Sequence, residues 1–322
     1  MIKNKQFILL FLPFLLASCS YNSTKSYSVN DYKIEMNYKD NFKIMQLTDL
    51  HFSVQSDYVS VTNYLKKNIE TCNPDLMIFT GDTFMSASRN VVDNVLNFID
   101  SFNIPFAFTY GNHDFQGDYD FYYINNSLFK LKNALVKDYI DDDIFGYSNY
   151  FIDLMENYKV KYRLYIIDSN SYYFNGLRYQ YDIIHDDQIA HLEQIYKEDG
   201  AAPSFAFYHI PLYEVSDAYN DVKAGKIVEY KGENNEKISY GYKRTDAFKR
   251  MKDIGVIGHF YGHDHINYTD ILYDGVTLSY GLKSTPEIYN YDDYIGYKTI
   301  TLKSDMSYDL SNIEMVRVPY GK

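Results

Sequence analysis

Residues 42–110 constrain the fold more than any other part of the chain, because apolar runs and helical patterns alternate there in a fixed order. Residues 42–48, 76–80 and 104–110 are short apolar runs of the length expected for buried strands. Between them, residues 58–72 place Val61, Tyr64, Leu65 and Ile69 on one helical face. Residues 91–102 do the same with Val92, Val95, Leu96 and Ile99. Pro74 ends the first helix, since its ring removes a backbone donor. A βαβαβ order calls for parallel strands with helices laid over the sheet. Each strand then closes on a short polar loop at one common edge, the usual place for catalytic groups in an α/β sheet.

The rest of the chain extends this α/β (α+β) pattern. Residues 32–38 read as a preceding strand, and 121–136 as a helix. Residues 147–154 and 160–168 read as two long strands paired with each other, and 186–197 as a helix. A buried strand follows over 204–208, a short helix over 245–253 and a strand over 256–261. Residues 276–280 and 297–302 read as antiparallel strands that complete a second sheet. Residues 214–243 are polar, carry a charged run over 231–237, and read as a surface loop or lid. No internal repeat and no boundary between two folded domains is visible. A 322-residue chain that is 46% hydrophobic has the means to bury a large core. Its formal net charge of -12 leaves no basic stripe, which argues against duplex nucleic acid as a partner.

The first residues form a leader rather than part of the fold. Lys3 and Lys5 are followed by an apolar run over 7–16, broken by Pro13, and then by Leu16-Ala17-Ser18-Cys19. The run is too short to span a bilayer comfortably. Leu-Ala-Ser-Cys resembles the lipobox of bacterial lipoprotein signal peptides. That resemblance implies removal of residues 1–18, a lipid on the Cys19 thiol, and attachment to the extracytoplasmic face of a bacterial cell membrane. Residues 19–31 then read as a polar tether, leaving 32–322 as the folded domain. Cys72 falls near a helix end and reads as structural, so no disulfide framework is expected.

Several loops after strands share one chemistry. Asp49 and His51, Asp82, Asn112 and His113, His209, and His263 with His265 each follow an apolar run. Of eight histidines, five lie in these loops. Carboxylate, imidazole and amide donors without thiolate suit a pair of first-row metal ions. Asp264 lies between two of these histidines in an alternating segment, so its side chain should point away from them.

Asp49-x-His51, Gly81-Asp82, Gly111-Asn112-His113-Asp114, His209 and Gly262-His263-x-His265 together resemble the calcineurin-like metallophosphoesterases, over about residues 42–285. Tyr208-His209-Ile210-Pro211-Leu212 and the segment from Gly262 to Asn267 are most similar to the purple-acid-phosphatase-related branch. The resemblance implies two packed mixed β-sheets flanked by helices, a four-layer sandwich. It implies that Asp49, His51 and His265 hold one metal, that Asn112, His209 and His263 hold the other, and that Asp82 bridges them. It further implies that His113 contacts the phosphoryl group or protonates the leaving oxygen, with Asp114 steering its ring. True purple acid phosphatases place a Tyr ligand three residues after the bridging Asp. Met85 stands there in this chain, so a tyrosine-to-iron colour is not expected.

The activity implied is hydrolysis of small phosphate monoesters, with two divalent or trivalent ions (Fe, Mn, Zn, Ni or Co) that activate a shared water for in-line attack on phosphorus. The same core would serve a phosphodiesterase acting on cyclic nucleotides or other small diesters. A reading from another class is a surface lipoprotein for adhesion or ligand binding with a vestigial core. The pocket walls are expected to come from the 214–243 loop and from the tyrosines at 119–123.

Overall fold

The computed structural model describes residues 28–137, 143–290 and 294–314, so the leader and Cys19 lie outside the described residues. The chain opens with α1 (Val29–Tyr32), β1 (Lys33–Asn37), β2 (Phe42–Leu47), α2 (Tyr58–Cys72), β3 (Leu76–Thr80), α3 (Arg89–Asp100) and β4 (Phe106–Thr109). It continues through α4 (Phe121–Phe129), β5 (Ala134–Leu135), β6 (Tyr150–Glu156), β7 (Lys159–Ile166), β8 (Tyr172–Phe174), β9 (Tyr179–Tyr181), α5 (Asp186–Asp199) and β10 (Ser204–Phe207). The last elements are α6 (Tyr213–Lys223), β11 (Tyr230–Lys231), α7 (Ala247–Asp253), β12 (Val256–Tyr261), β13 (Asp270–Tyr273), β14 (Val276–Tyr280), β15 (Gly296–Leu302) and β16 (Tyr308–Glu314).

Two mixed sheets face each other. One has the order β16-β15-β2-β3-β4-β5, the other β1-β6-β7-β10-β12-β14-β13-β11. Strands β2 to β5 pair in parallel in the first, as do β7, β10, β12 and β14 in the second. Central parallel strands are covered on both faces, which is why they read as unbroken apolar runs. In β3, alternation sends Leu76 and Ile78 into the core shared with the second sheet. Met77 and Phe79 turn the other way, onto α2 and α3 through Leu65, Ile69, Val95 and Ile99. Helices α5 and α7 cover the far side of the second sheet through Ile189, Leu192, Ile195, Phe248 and Met251. The result is the four-layer sandwich expected from the sequence.

Helix α2 begins and ends at the residues its apolar spacing marks. The Asp57 carboxylate accepts from the Ser60 amide at 3.2 Å, and Asn73 closes the helix at φ 46°, a left-handed conformation Asn tolerates well. Elsewhere the sequence reading needs correction. The tether does not reach residue 31, because Val29 and Tyr32 are buried on a short docked helix. The helix expected over 121–136 stops at Phe129: Asn133 is drawn to Asp100 by hydrogen bonds of 2.8 and 3.0 Å, and β5 then joins the sheet edge. Residues 214–243 are not one irregular lid, since α6 occupies their first part and buries Val215 and Ala218. Strand β14 pairs antiparallel with β13 as expected but parallel with β12, and β15, also antiparallel to its neighbour β2, crosses to the other sheet. Among the described residues, no helix is long and apolar enough to cross a membrane.

Candidate metal centre

Parallel pairing aligns the C-terminal ends of β2, β3 and β4 on one edge, so the loops carrying Asp49 and His51, Asp82, and Asn112 and His113 are neighbours. Strands β10 and β12 do the same for His209, His263 and His265 on the facing sheet. The two edges are tied together. The Gln46 side-chain amide reaches the Tyr261 carbonyl at 3.2 Å, and the Thr109 hydroxyl donates to the Ile167 carbonyl at 2.7 Å.

The loops themselves are tightly wound. Asp49, His51, Asp82 and His263 all have positive φ, at 54°, 51°, 51° and 81°. Non-glycine residues rarely adopt this conformation, and such strain gathers at functional sites. Two motif glycines make room for the side chains. A Cβ on Gly81 would lie 2.6 Å from the His209 ring, and one on Gly111 would run into the Asp82 carboxylate.

Two groups of donors result. Asp49, His51 and His265 form one, and Asp82, His209 and His263 form the other, each with donor atoms within 4.8 Å of one another. All six residues are buried. Asp82 Oδ2 stands between the groups, 3.1 Å from His209 Nε2 and 3.7 Å from His51 Nε2. The imidazole nitrogens crowd together, with His51 Nε2 3.0 Å from His265 Nε2 and His263 Nδ1 3.3 Å from His209 Nε2. Asn112 Oδ1 is buried at the same place with no hydrogen-bond partner, while its Nδ2 donates to the Tyr172 hydroxyl at 2.9 Å. The backs of the imidazoles are fixed. His209 Nδ1 donates to the Thr80 carbonyl at 2.9 Å, and His265 Nδ1 to the Tyr289 carbonyl at 3.1 Å, which presents Nε2 inward in each. Asp49 Oδ2 accepts from the Thr48 hydroxyl at 2.8 Å and the His263 amide at 3.1 Å.

Protonation follows from burial and charge. Burial holds His263 and His265 down at about 3, so both are neutral imidazoles, the form that binds a metal. Burial alone would raise the Asp82 carboxyl, but the charge and hydrogen bond of His209 outweigh it and hold Asp82 well below the usual range. Burial would likewise lower His209, yet the Asp82 and Asp49 carboxylates beside it push it up to about 10. These carboxylates therefore draw positive charge to the space between the rings. Buried anions, neutral imidazoles and an orphaned amide oxygen fit a pair of cations bound there.

The other residues marked by the sequence fall in different places. His113 is half-buried, its ring 5.4 Å from that of His51, and its backbone amide donates to Asp82 Oδ1 at 2.7 Å. Asp114 does not steer the His113 ring. Its carboxylate is fully buried and accepts from the amides of Asp82, Phe84 and Gly111 at 2.9, 2.8 and 2.7 Å. His113 Nδ1 donates instead to Gln116 Oε1 at 2.8 Å. Asp264 does turn away from the donors, accepting from the Tyr280 hydroxyl and the Ser239 amide. Tyr119 and Tyr123 are not pocket walls. Tyr119 packs in the core under α4, and the Tyr123 hydroxyl bonds Asp93 at 2.7 Å.

Several residues at the centre carried no signal in the sequence. Lys283, following β14, is buried and donates to the Asp49 carbonyl at 2.6 Å, which braces that loop. Ser169 Oγ accepts from the His209 and Ile210 amides at 3.2 and 2.8 Å. Tyr172, Tyr181 and Tyr289 touch Asn112, His263 and His265 respectively.

This fold and these paired donor groups define a dimetal phosphoesterase core. Residues 42–267 match the model of the calcineurin-like phosphoesterases, and the chain belongs to that family. Two divalent metal ions are its cofactors. Among similar proteins is one of Arabidopsis thaliana named "Probable inactive purple acid phosphatase 29", 26% identical over 321 residues and covering 85% of this chain and 79% of its own. Another is "Phosphatase DCR2" of Saccharomyces cerevisiae, 25% identical over 256 residues, covering 70% of this chain but 44% of the yeast protein. A crystal structure of a dimetal phosphatase from Danio rerio superposes with a TM-score of 0.56 at 13% identity, over 86% of this chain and 98% of the other, which shows a shared fold.

Proposed function

We propose that the chain hydrolyses phosphate monoesters, with Asp49, His51 and His265 holding one metal ion, Asn112, His209 and His263 the other, and Asp82 bridging the two. The observation that carries this reading is the position of Asp82 Oδ2, within 3.1 Å of His209 Nε2 and 3.7 Å of His51 Nε2. When bound, the cations supply an acidic water as nucleophile and neutralise charge on the phosphoryl oxygens. The chain's own residues do the rest. Gln116 holds His113 by Nδ1, so Nε2 is the atom that carries a proton to the leaving oxygen. The three amides on Asp114 hold the loops of Asp82 and Gly111 in register with each other. The word "inactive" belongs to the plant relative's name. In this chain all seven proposed ligand positions are filled by metal-binding side chains.

The full chain, reconstituted with Mn²⁺ or Zn²⁺, is expected to hydrolyse p-nitrophenyl phosphate faster than bis-p-nitrophenyl phosphate. The reverse order would make the chain a diesterase. Silence on both, with two metals bound, would favour a binding role.

We also propose, on Leu16-Ala17-Ser18-Cys19 alone, that the chain is lipid-anchored at an extracytoplasmic membrane face. Cys19→Ser should then move the protein from the membrane to the soluble fraction of its source cells. Unchanged fractionation would refute the anchor.

A further inference from the structure

A two-stranded ribbon stands beside the metal centre and forms a small sheet of its own, β8 with β9. Its register pairs Tyr172 with Tyr181, Tyr173 with Gln180 and Phe174 with Tyr179. Alternation therefore puts Tyr172, Phe174, Tyr179 and Tyr181 on one face. The rings meet there. Tyr172 and Tyr181 stack at 5.7 Å, Phe174 and Tyr179 lie 4.9 Å apart, and Tyr172 meets Tyr179 edge-on at 6.5 Å.

This row of rings starts at the metal centre and ends in solvent. At the inner end the Tyr172 hydroxyl accepts from Asn112 Nδ2, and the Tyr181 ring meets His263 edge-on at 4.3 Å. At the outer end Phe174 and Tyr179 are 52% and 71% exposed. The ribbon's other face is already engaged, since Tyr173 stacks on Tyr242 at 4.2 Å and 15°. The Tyr242 amide also donates to the Tyr181 carbonyl at 2.9 Å, which fixes the ribbon's base. A held surface of aromatic rings leading outward from a phosphoryl site is built to receive another ring.

We propose that this face is the leaving-group subsite, and that the preferred substrates are phosphoesters whose leaving group carries a planar aromatic ring. The inference rests on the phosphoesterase reading and names the substrate class for it. Such a ring can come from two sources. In an aryl phosphate the ring is one oxygen from phosphorus and meets Tyr172 and Tyr181. In a nucleoside 5′-phosphate the ribose intervenes and the base reaches Phe174 and Tyr179.

The test compares kcat/KM of the full metal-loaded chain for phenyl phosphate, AMP and glycerol 2-phosphate, in wild type and Tyr179→Ala. At least one aromatic ester should be preferred over glycerol 2-phosphate by about tenfold, the scale of one ring stacking on another. If nucleotides are the source, Tyr179→Ala should lower the AMP-to-glycerol-phosphate ratio about tenfold through KM, with the phenyl phosphate ratio less affected. If aryl esters are the source, phenyl phosphate should lead, and Tyr172→Ala should lower its ratio more than Tyr179→Ala does. Equal turnover of all three esters would overturn the inference and leave the phosphoesterase reading intact. A binding readout is independent of turnover. The chain contains no Trp, so Tyr179→Trp places a single indole on the ribbon. Saturable quenching of that indole by AMP or phenol, and not by inorganic phosphate, supports the subsite even if every ester is left intact. Where every ester is left intact, no quenching by either refutes it.

Discussion

Asp82→Ala is expected to bind at most one equivalent of metal and to lose about a thousandfold in kcat, the upper end of what removal of a single transition-state hydrogen bond ordinarily costs. The reason lies in what one carboxylate does. Its Oδ2 faces His209 Nε2 at 3.1 Å and His51 Nε2 at 3.7 Å, one from each donor group. Its Oδ1 accepts from the His113 amide at 2.7 Å, so the side chain that joins the groups also seats the proposed acid. No neighbouring carboxylate can replace it, because Asp49 is tied to Thr48 and to the His263 amide, and Asp114 to three amides of its own. Asp82→Asn separates charge from shape. It keeps an acceptor for the His113 amide but removes the anion, and should bind the second metal weakly while remaining folded. Metal content by elemental analysis of dialysed protein, beside kcat on p-nitrophenyl phosphate, decides the matter. Two full equivalents retained by the alanine variant would exclude the bridge.

The sequence was most legible where local and tertiary demands coincide. Residues 58–72 have an apolar stripe, an Asp cap and a left-handed Asn closure, and the helix has those bounds. The apolar run at 76–80 is buried on both faces, so its length in the sequence is its length in the sheet. The donor set was legible too, because parallel strands of like direction must deliver their following loops to one edge. What the sequence hid depends on partners far along the chain. Helix α6 buries only a narrow stripe, Val215 and Ala218, among polar residues, so its sequence looks like loop. Asp114 follows a histidine, so it reads as that ring's partner, yet the turn carries its carboxylate beneath the amides of Asp82 and Phe84, about thirty positions earlier. Lys283 reads as one lysine after an apolar strand, and only the passage of the chain from β14 to β15, across to the other sheet, brings it under Asp49. Tyr172, Tyr181 and Tyr289 were lost among 37 tyrosines, since nothing local separates a tyrosine that touches a proposed ligand from one that fills the core.

His113→Ala is expected to keep both metals and lose between about a hundredfold and ten-thousandfold in kcat, the range of a positioned general acid. Its ring is half-buried and lies 5.4 Å from that of His51, while the six clustered donors are buried. The ring belongs to neither donor group, and its Nδ1 is engaged by Gln116 at 2.8 Å. Removing the side chain leaves the 2.7 Å hydrogen bond from its backbone amide to Asp82 in place, so the bridge should survive. The choice of substrate sharpens the test. p-Nitrophenolate is a good leaving group that needs little protonation, whereas the alkoxide of glycerol 2-phosphate needs much. An acid role therefore predicts a far larger loss on glycerol 2-phosphate than on p-nitrophenyl phosphate, and Gln116→Ala should show the same imbalance on a smaller scale by freeing the ring. An equal loss on both esters would assign His113 to phosphoryl binding instead. Loss of metal along with activity would make it a ligand, and the division between donor groups and acid would then have to be redrawn.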